Sequence, residues 1–158
     1  MRIWILLLVA TVSIGAQEPT RFTRWVWDGV YTTQQATRGE PLYRQYCAEC
    51  HGPELQGRMD FPLWTSLPRP APNAEIVGVK RGTPPLKGAT FISNWADLSL
   101  GDVFERNRIS MPQDRPGRLS RQQNADILAY MLQENGYPPG NGELGLTKEE
   151  LDTIRIGK

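Results

Sequence analysis

The chain has one histidine, two cysteines and four methionines in 158 residues, so very few side chains are available for imidazole, thiol or thioether chemistry. It has no excess of either charge. Eighteen Lys and Arg stand against 17 Asp and Glu, which excludes the basic face of a nucleic-acid binder. It has no internal repeat and no low-complexity tract, which excludes repeat arrays. Long apolar runs are also missing, apart from the N-terminal "MRIWILLLVATVSIGAQE". That run starts at Ile3, is softened at Thr11 and Ser13, and falls short of the roughly 20 residues a membrane span needs. Gly15 and Ala16 follow it, the pattern of a secretory signal peptide over residues 1–16. Left uncleaved, the same run would anchor the protein in a membrane. Its removal takes away Arg2 and leaves 17 basic against 17 acidic side chains. The expectation is a neutral, periplasmic or secreted protein with no membrane span after cleavage.

What is present is loop-forming: 13 Pro and 15 Gly, in a length that suits one domain with extensions. Residues 17–31 read as an N-terminal arm whose Trp25, Trp27 and Tyr31 pack rather than bind. A domain is expected over 32–140 and an extension with a short helix over 141–158. Thr32 with Gln35 predicts a capping box, and Ala36, Gly39, Leu42, Tyr43 and Tyr46 form the stripe of the helix it opens. Ser99 with Asp102 and Ser120 with Gln123 open two more helices. The first has an apolar face at Val103 and Phe104. The second has a stripe at Ile127, Leu128, Met131 and Leu132 and a stop at Asn135-Gly136. Thr147 with Glu150 opens the short last one, "KEELDTIRI". Residues 52–98 show no helical period. The fold class is all-α, three main helices with long loops and no strands.

Both cysteines and the histidine fall within "CAECH", Cys47, Cys50 and His51. Cys-x-x-Cys-His is the attachment signature of c-type haem. Two thiols at this spacing add to the two vinyl groups along one side of a porphyrin, and the next imidazole becomes an axial ligand. A structural zinc site needs four ligands and the motif offers three. A thioredoxin-type dithiol belongs in a βαβ setting, which is not seen. A Cys47–Cys50 disulfide would leave His51 unexplained. One haem c, covalent through Cys47 and Cys50, is the expected cofactor.

With no second histidine, the other axial ligand must be of a different type. Met1 leaves with the signal, Met131 lies on an apolar stripe, and Met59 is only eight residues from His51. Met111 remains, in "RISMPQDRPGRLS", followed by Pro112, which stiffens the loop and removes a donor beside the sulfur. A thioether ligand favours ferrous iron.

A helix leading into "CAECHG", a late "SMP" loop and a final "ADILAYMLQ" helix resemble the class I c-type cytochromes, over about Gln34 to Tyr137. The resemblance implies the cytochrome c fold, its helices arranged around one haem. "PPLKGATFISNW" is similar to the family's run after the haem site. On that match the Pro85 carbonyl would accept from the His51 ring and Trp95 would sit by a haem propionate. Gly39 would let an aromatic of the last helix, Tyr130, cross closely. More narrowly, "VWDGVYTTQQATRGEPLY" with "LQENGYPPGNGEL" resembles soluble cytochromes found beside pyrroloquinoline-quinone dehydrogenases. Residues from about Arg58 to Arg81 depart from the pattern as an insertion.

The resemblance implies an electron carrier rather than an enzyme, with His51 and Met111 on the iron and redox proteins as partners. A quinoprotein dehydrogenase is the expected donor, and a terminal oxidase or another cytochrome the acceptor. Two other readings stay open: a haem protein with an open sixth site, peroxidase-like or gas-binding, and an electron-transfer subunit of a dehydrogenase complex. Arg106, Arg108, Arg115, Arg118 and Arg121, against one acid at Asp114, could steer an acidic partner, pair with propionates, or be solvated surface charges.

Overall fold

Helix α1 (Thr33–Tyr46) crosses helix α5 (Arg121–Glu134) in the computed structural model of the chain, which describes residues 22–58 and 82–157. The expected signal peptide, Met59 and the insertion beyond Arg58 lie outside the described residues. The crossing is made at Gly39, where a Cβ would lie 1.9 Å from the Asp126 carbonyl oxygen and 3.0 Å from Tyr130 Cβ. Beside it, Arg38 grips Asp126 with Nε at 3.1 Å and Nη2 at 2.9 Å. The Asp126 side chain is only 5% exposed, so this buried carboxylate depends on its partner. Helix α5 is buried without a break from Asn124 to Leu132, wider than one stripe, as befits a central helix.

Capping decides where these helices start. The boxes Ser99/Asp102 and Ser120/Gln123 are both complete, at the heads of α4 (Leu100–Ser110) and α5. The one expected at α1 is half made, which corrects the sequence reading. Thr32 Oγ1 accepts from the Gln35 backbone at 3.1 Å, but the Gln35 side chain turns inward and Oε1 accepts from Leu144 N–H at 2.8 Å. A buried backbone donor has no water to turn to and claims the amide first.

Two further corrections concern elements not expected. Helix α3 (Gly88–Trp95) lies inside the stretch expected to have no helix. It is eight residues long with Phe91 as its one buried side chain, too little to set a period. Two-residue strands also form: β1 (Arg24–Trp25) pairs in parallel with β2 (Ile154–Arg155). The last helix, α6 (Lys148–Leu151), is capped by Thr147 and Glu150 as expected but stops sooner, because the chain beyond it extends to make that pair.

The residues after α5 join the same core, with Leu144, Leu151, Ile154 and Ile156 all buried. They also brace the α3–α4 junction. Ser99 Oγ donates to Asp152 at 2.7 Å, Lys148 bridges Asp102 and Asp152 at 3.0 and 2.5 Å, and Arg155 Nε donates to the Ala96 carbonyl at 3.2 Å. The N-terminal arm packs on this region. Trp27 meets Tyr137 edge-on at 4.9 Å, and buried Tyr31 donates its hydroxyl to the Tyr137 carbonyl at 2.7 Å. Among the described residues no helix is long and apolar enough to cross a membrane.

Candidate haem site

Helix α1 ends at Tyr46, and Cys47 begins a single turn, α2 (Ala48–His51). The amides of Cys50 and His51 both donate to the Cys47 carbonyl, at 3.1 and 2.8 Å. Gly52, at φ +80°, ends the turn, and its carbonyl accepts from the buried Tyr43 hydroxyl at 2.7 Å. The chain then folds back under the turn. Thr83 Oγ1 donates to the Cys50 carbonyl, and Arg58 Nη1 donates to the Glu49 carbonyl at 3.0 Å. Gly57, at φ +74°, permits that return, since a Cβ there would lie 2.6 Å from the Thr83 carbonyl oxygen.

This scaffold fixes the histidine. His51 is 9% exposed, and its Nδ1 lies 2.9 Å from the Pro84 carbonyl, which can only accept. The proton is therefore on Nδ1, leaving the Nε2 lone pair free for a metal. The accepting carbonyl is that of Pro84 and not Pro85, a correction by one residue. In the run "TPPL", Thr83 is anchored to both Cys50 and Arg58, which brings the first proline, not the second, over the ring. Pro85 lines the cleft instead.

Cys47, Cys50 and His51 share one cleft of about 570 Å³, within the roughly 300–1,000 Å³ of cofactor-sized pockets. Pro84, Pro85 and Leu86 form one side of it, Phe91, Trp95 and Leu98 another. Val103, Asn107 and Met111 come from α4 and its end, Ile127 and Met131 from α5. Of the sequence candidates, Met111 caps the C-terminus of α4 and is half-buried, while Met131 is 5% exposed in the core yet also reaches the cleft. Trp95 is the last residue of α3, half-buried on the wall. Only Arg106 and Arg118 of the five arginines line the cleft. Arg108 pairs with Glu105 at 2.6 Å, and Arg121 donates to the Leu146 carbonyl at 3.1 Å. Phe91 belongs to the family-like run "PPLKGATFISNW", which assigns it no role, and Asn107, one turn before Met111, has no sequence signal.

Burial sets the protonation of the motif's own side chains. Burial pushes the Cys47 thiol up to about 12 and also raises Cys50, so neither is the thiolate that a dithiol redox site needs. The two thiols are not bonded to each other. Burial lowers His51, against the opposing Pro84 hydrogen bond, which keeps the imidazole neutral. Among the described residues no group of three or more His, Cys, Asp or Glu is arranged to hold a metal ion. A thiol pair beside a neutral imidazole in an apolar, porphyrin-scale cleft fits haem c.

One family model agrees. The family model described as cytochrome C oxidase, cbb3-type, subunit III matches residues 34–131, from the start of α1 to most of α5. None of the curated proteins matches the chain. Among solved structures the chain is similar to the sulfane dehydrogenase SoxCD from Paracoccus pantotrophus, at 22% identity and a TM-score of 0.41. That alignment covers 82% of this chain, which spans 61% of the other's length. The motif, the helical fold around one cleft and the family match lead to one conclusion: the chain belongs to the c-type cytochrome family described as cytochrome C oxidase, cbb3-type, subunit III, whose domain binds haem and transfers electrons.

Proposed function

We propose that this cytochrome is an exported monohaem electron carrier, its haem c bound through thioethers to Cys47 and Cys50, with His51 and Met111 as axial ligands. The observation that carries the reading is the 2.9 Å contact from His51 Nδ1 to the Pro84 carbonyl, made by an imidazole that shares an apolar cleft with both thiols and Met111. Haem, when bound, supplies the one-electron couple between Fe(III) and Fe(II). The chain's own residues set the terms. The Pro84 carbonyl orients the imidazole and raises its basicity. Phe91, Ile127 and Met131 keep the cleft dry. Trp95 would sit beside a propionate, as the family-like run around it implies. Met111 lines the same cleft, and its soft, neutral sulfur would favour Fe(II) and occupy the position a peroxide or gas ligand would need, as suits a carrier.

Export is supported by the signal-like residues 1–16, and by the oxidising maturation that thioether attachment requires. Redox proteins are the partners: a quinoprotein dehydrogenase as donor and a terminal oxidase or another cytochrome as acceptor suit the flanking-sequence resemblance. The test is the far-red absorption of the ferric protein. A low-spin spectrum with a weak sulfur-to-iron charge-transfer band, lost in Met111→Ala and kept in Met59→Ala and Met131→Ala, supports the reading. A high-spin wild type that binds carbon monoxide readily when reduced overturns it in favour of an open site. Loss of the band in Met131→Ala would move the ligand to α5.

A further inference from the structure

We propose that Arg118 and Tyr46 form a latch that holds the Met111 loop against the Cys47 end of α1, and so limit how readily an outside ligand displaces the Met111 sulfur. The proposal rests on the His51/Met111 reading above. The loop leaves α4 at Met111, whose amide donates to the Asn107 carbonyl at 3.0 Å. It re-enters the core at buried Leu119, whose carbonyl accepts from Asn124 Nδ2 at 3.2 Å. Between these anchors residues 113–118 are exposed. Local turns shape the stretch, with Arg115 N–H donating to the Pro112 carbonyl at 3.0 Å and Arg118 N–H to the Arg115 carbonyl at 3.3 Å.

From the end of this stretch the Arg118 guanidinium lies over the Tyr46 ring, 5.1 Å from its centroid. That is within the roughly 6 Å over which a cation is held by an aromatic face. Tyr46 is the last residue of α1 and adjoins Cys47. Both side chains line the cleft, and Arg118 is exposed, so the contact crosses the cleft at its rim. It joins the segment proposed to carry the sulfur ligand to the segment that carries the attachment motif. Neighbouring arginines are engaged differently: Arg115 lies 3.7 Å from Asp114, and Arg121 reaches the Leu146 carbonyl. Movement of Met111 away from the cleft carries the loop outward and breaks the Arg118–Tyr46 contact. The two are therefore positioning residues, acting on the ligand through the loop. An incoming ligand must bind a loop-open state, and the latch lowers that state's population.

The experiment is an imidazole titration of the ferric holoprotein, followed by loss of the far-red band. Arg118→Ala is expected to bind imidazole roughly two- to five-fold more tightly than wild type, the range an exposed cation–π contact supplies. Tyr46→Phe keeps the ring face and the wild-type affinity, Tyr46→Leu matches Arg118→Ala, and the double variant exceeds neither single change. Unchanged affinity in Arg118→Ala, or additive effects in the double variant, overturns the latch and leaves Met111 ligation standing. A wild type without the band overturns the ligation and the latch together.

Discussion

Gly39 on α1 sits so close to Asp126 on α5 that a methyl group in place of its hydrogen would lie 1.9 Å from the Asp126 carbonyl oxygen. The obstacle is backbone, which cannot swing aside as a side chain can. Gly39→Ala is therefore expected to destabilise the holoprotein by about 3 kcal/mol, the upper end of ordinary overpacking costs. Urea melts measure it. A wild-type midpoint would mean the helices separate without loss, contrary to the crossing described.

Tyr43 ties α1 to the end of the attachment turn through its hydroxyl, 2.7 Å from the Gly52 carbonyl, with both residues buried. Tyr43→Phe keeps the ring and leaves the carbonyl only the longer bond from the Leu55 amide, at 3.2 Å. A loss of about 0.5–1.5 kcal/mol in the same melts is expected, the net worth of one hydrogen bond. Unchanged stability would place water at that carbonyl.

Tyr130 is 5% exposed against α1, its ring 5.5 Å from that of Tyr43, whereas Trp95 is half-buried on the cleft wall. Tyr130→Ala should cost about 3–5 kcal/mol, and Trp95→Ala less. The reverse order in urea would show that Trp95 is the deeper of the two in the loaded protein.

Cys47 and Cys50 are each expected to hold a thioether. Haem should then stay with the polypeptide in a denaturing gel and resist acid-acetone extraction. Either single-cysteine variant should lose most of its holoprotein yield. Haem freely extractable from wild type would refute covalent attachment.

Stability should fall in acid partly through Asp102. Burial alone pushes its carboxyl up, but the Ser99 amide and the Lys148 ammonium, each at 3.0 Å, outweigh burial and hold it below the ordinary 3.8. A group more acidic folded than unfolded stabilises above its unfolded value, and that contribution goes as pH falls through the lower folded value. The urea midpoint should drop below about pH 4, and Asp102→Asn should flatten that slope. Equal slopes in both proteins would count against the network.

What could be read from the sequence was local. Ser99 with Asp102 and Ser120 with Gln123 announce their helices because a cap is made within four residues. Cys47, Cys50 and His51 are brought together by a single turn. The misreadings all involve partners far along the chain. Gln35 has a backbone donor 109 positions away, which no capping pattern records. The one-residue shift from Pro85 to Pro84 follows from where Thr83 is pinned, to Cys50 33 positions earlier. Helix α3 is held by packing of Phe91 rather than by period, and two-residue strands have no sequence signature at all.

The pairing of Arg24–Trp25 with Ile154–Arg155 has a consequence for the order of assembly. All six helices, α1 to α6, lie between the two strands along the chain. Closing so large a loop is among the slower steps available to a chain. The Cys47–His51 turn, by contrast, is built from bonds between near neighbours and needs no distant partner for its shape. The thioether attachment proposed above therefore does not wait for residues 24–25 and 154–155 to meet, and the β pair seals the α3–α4 junction afterwards.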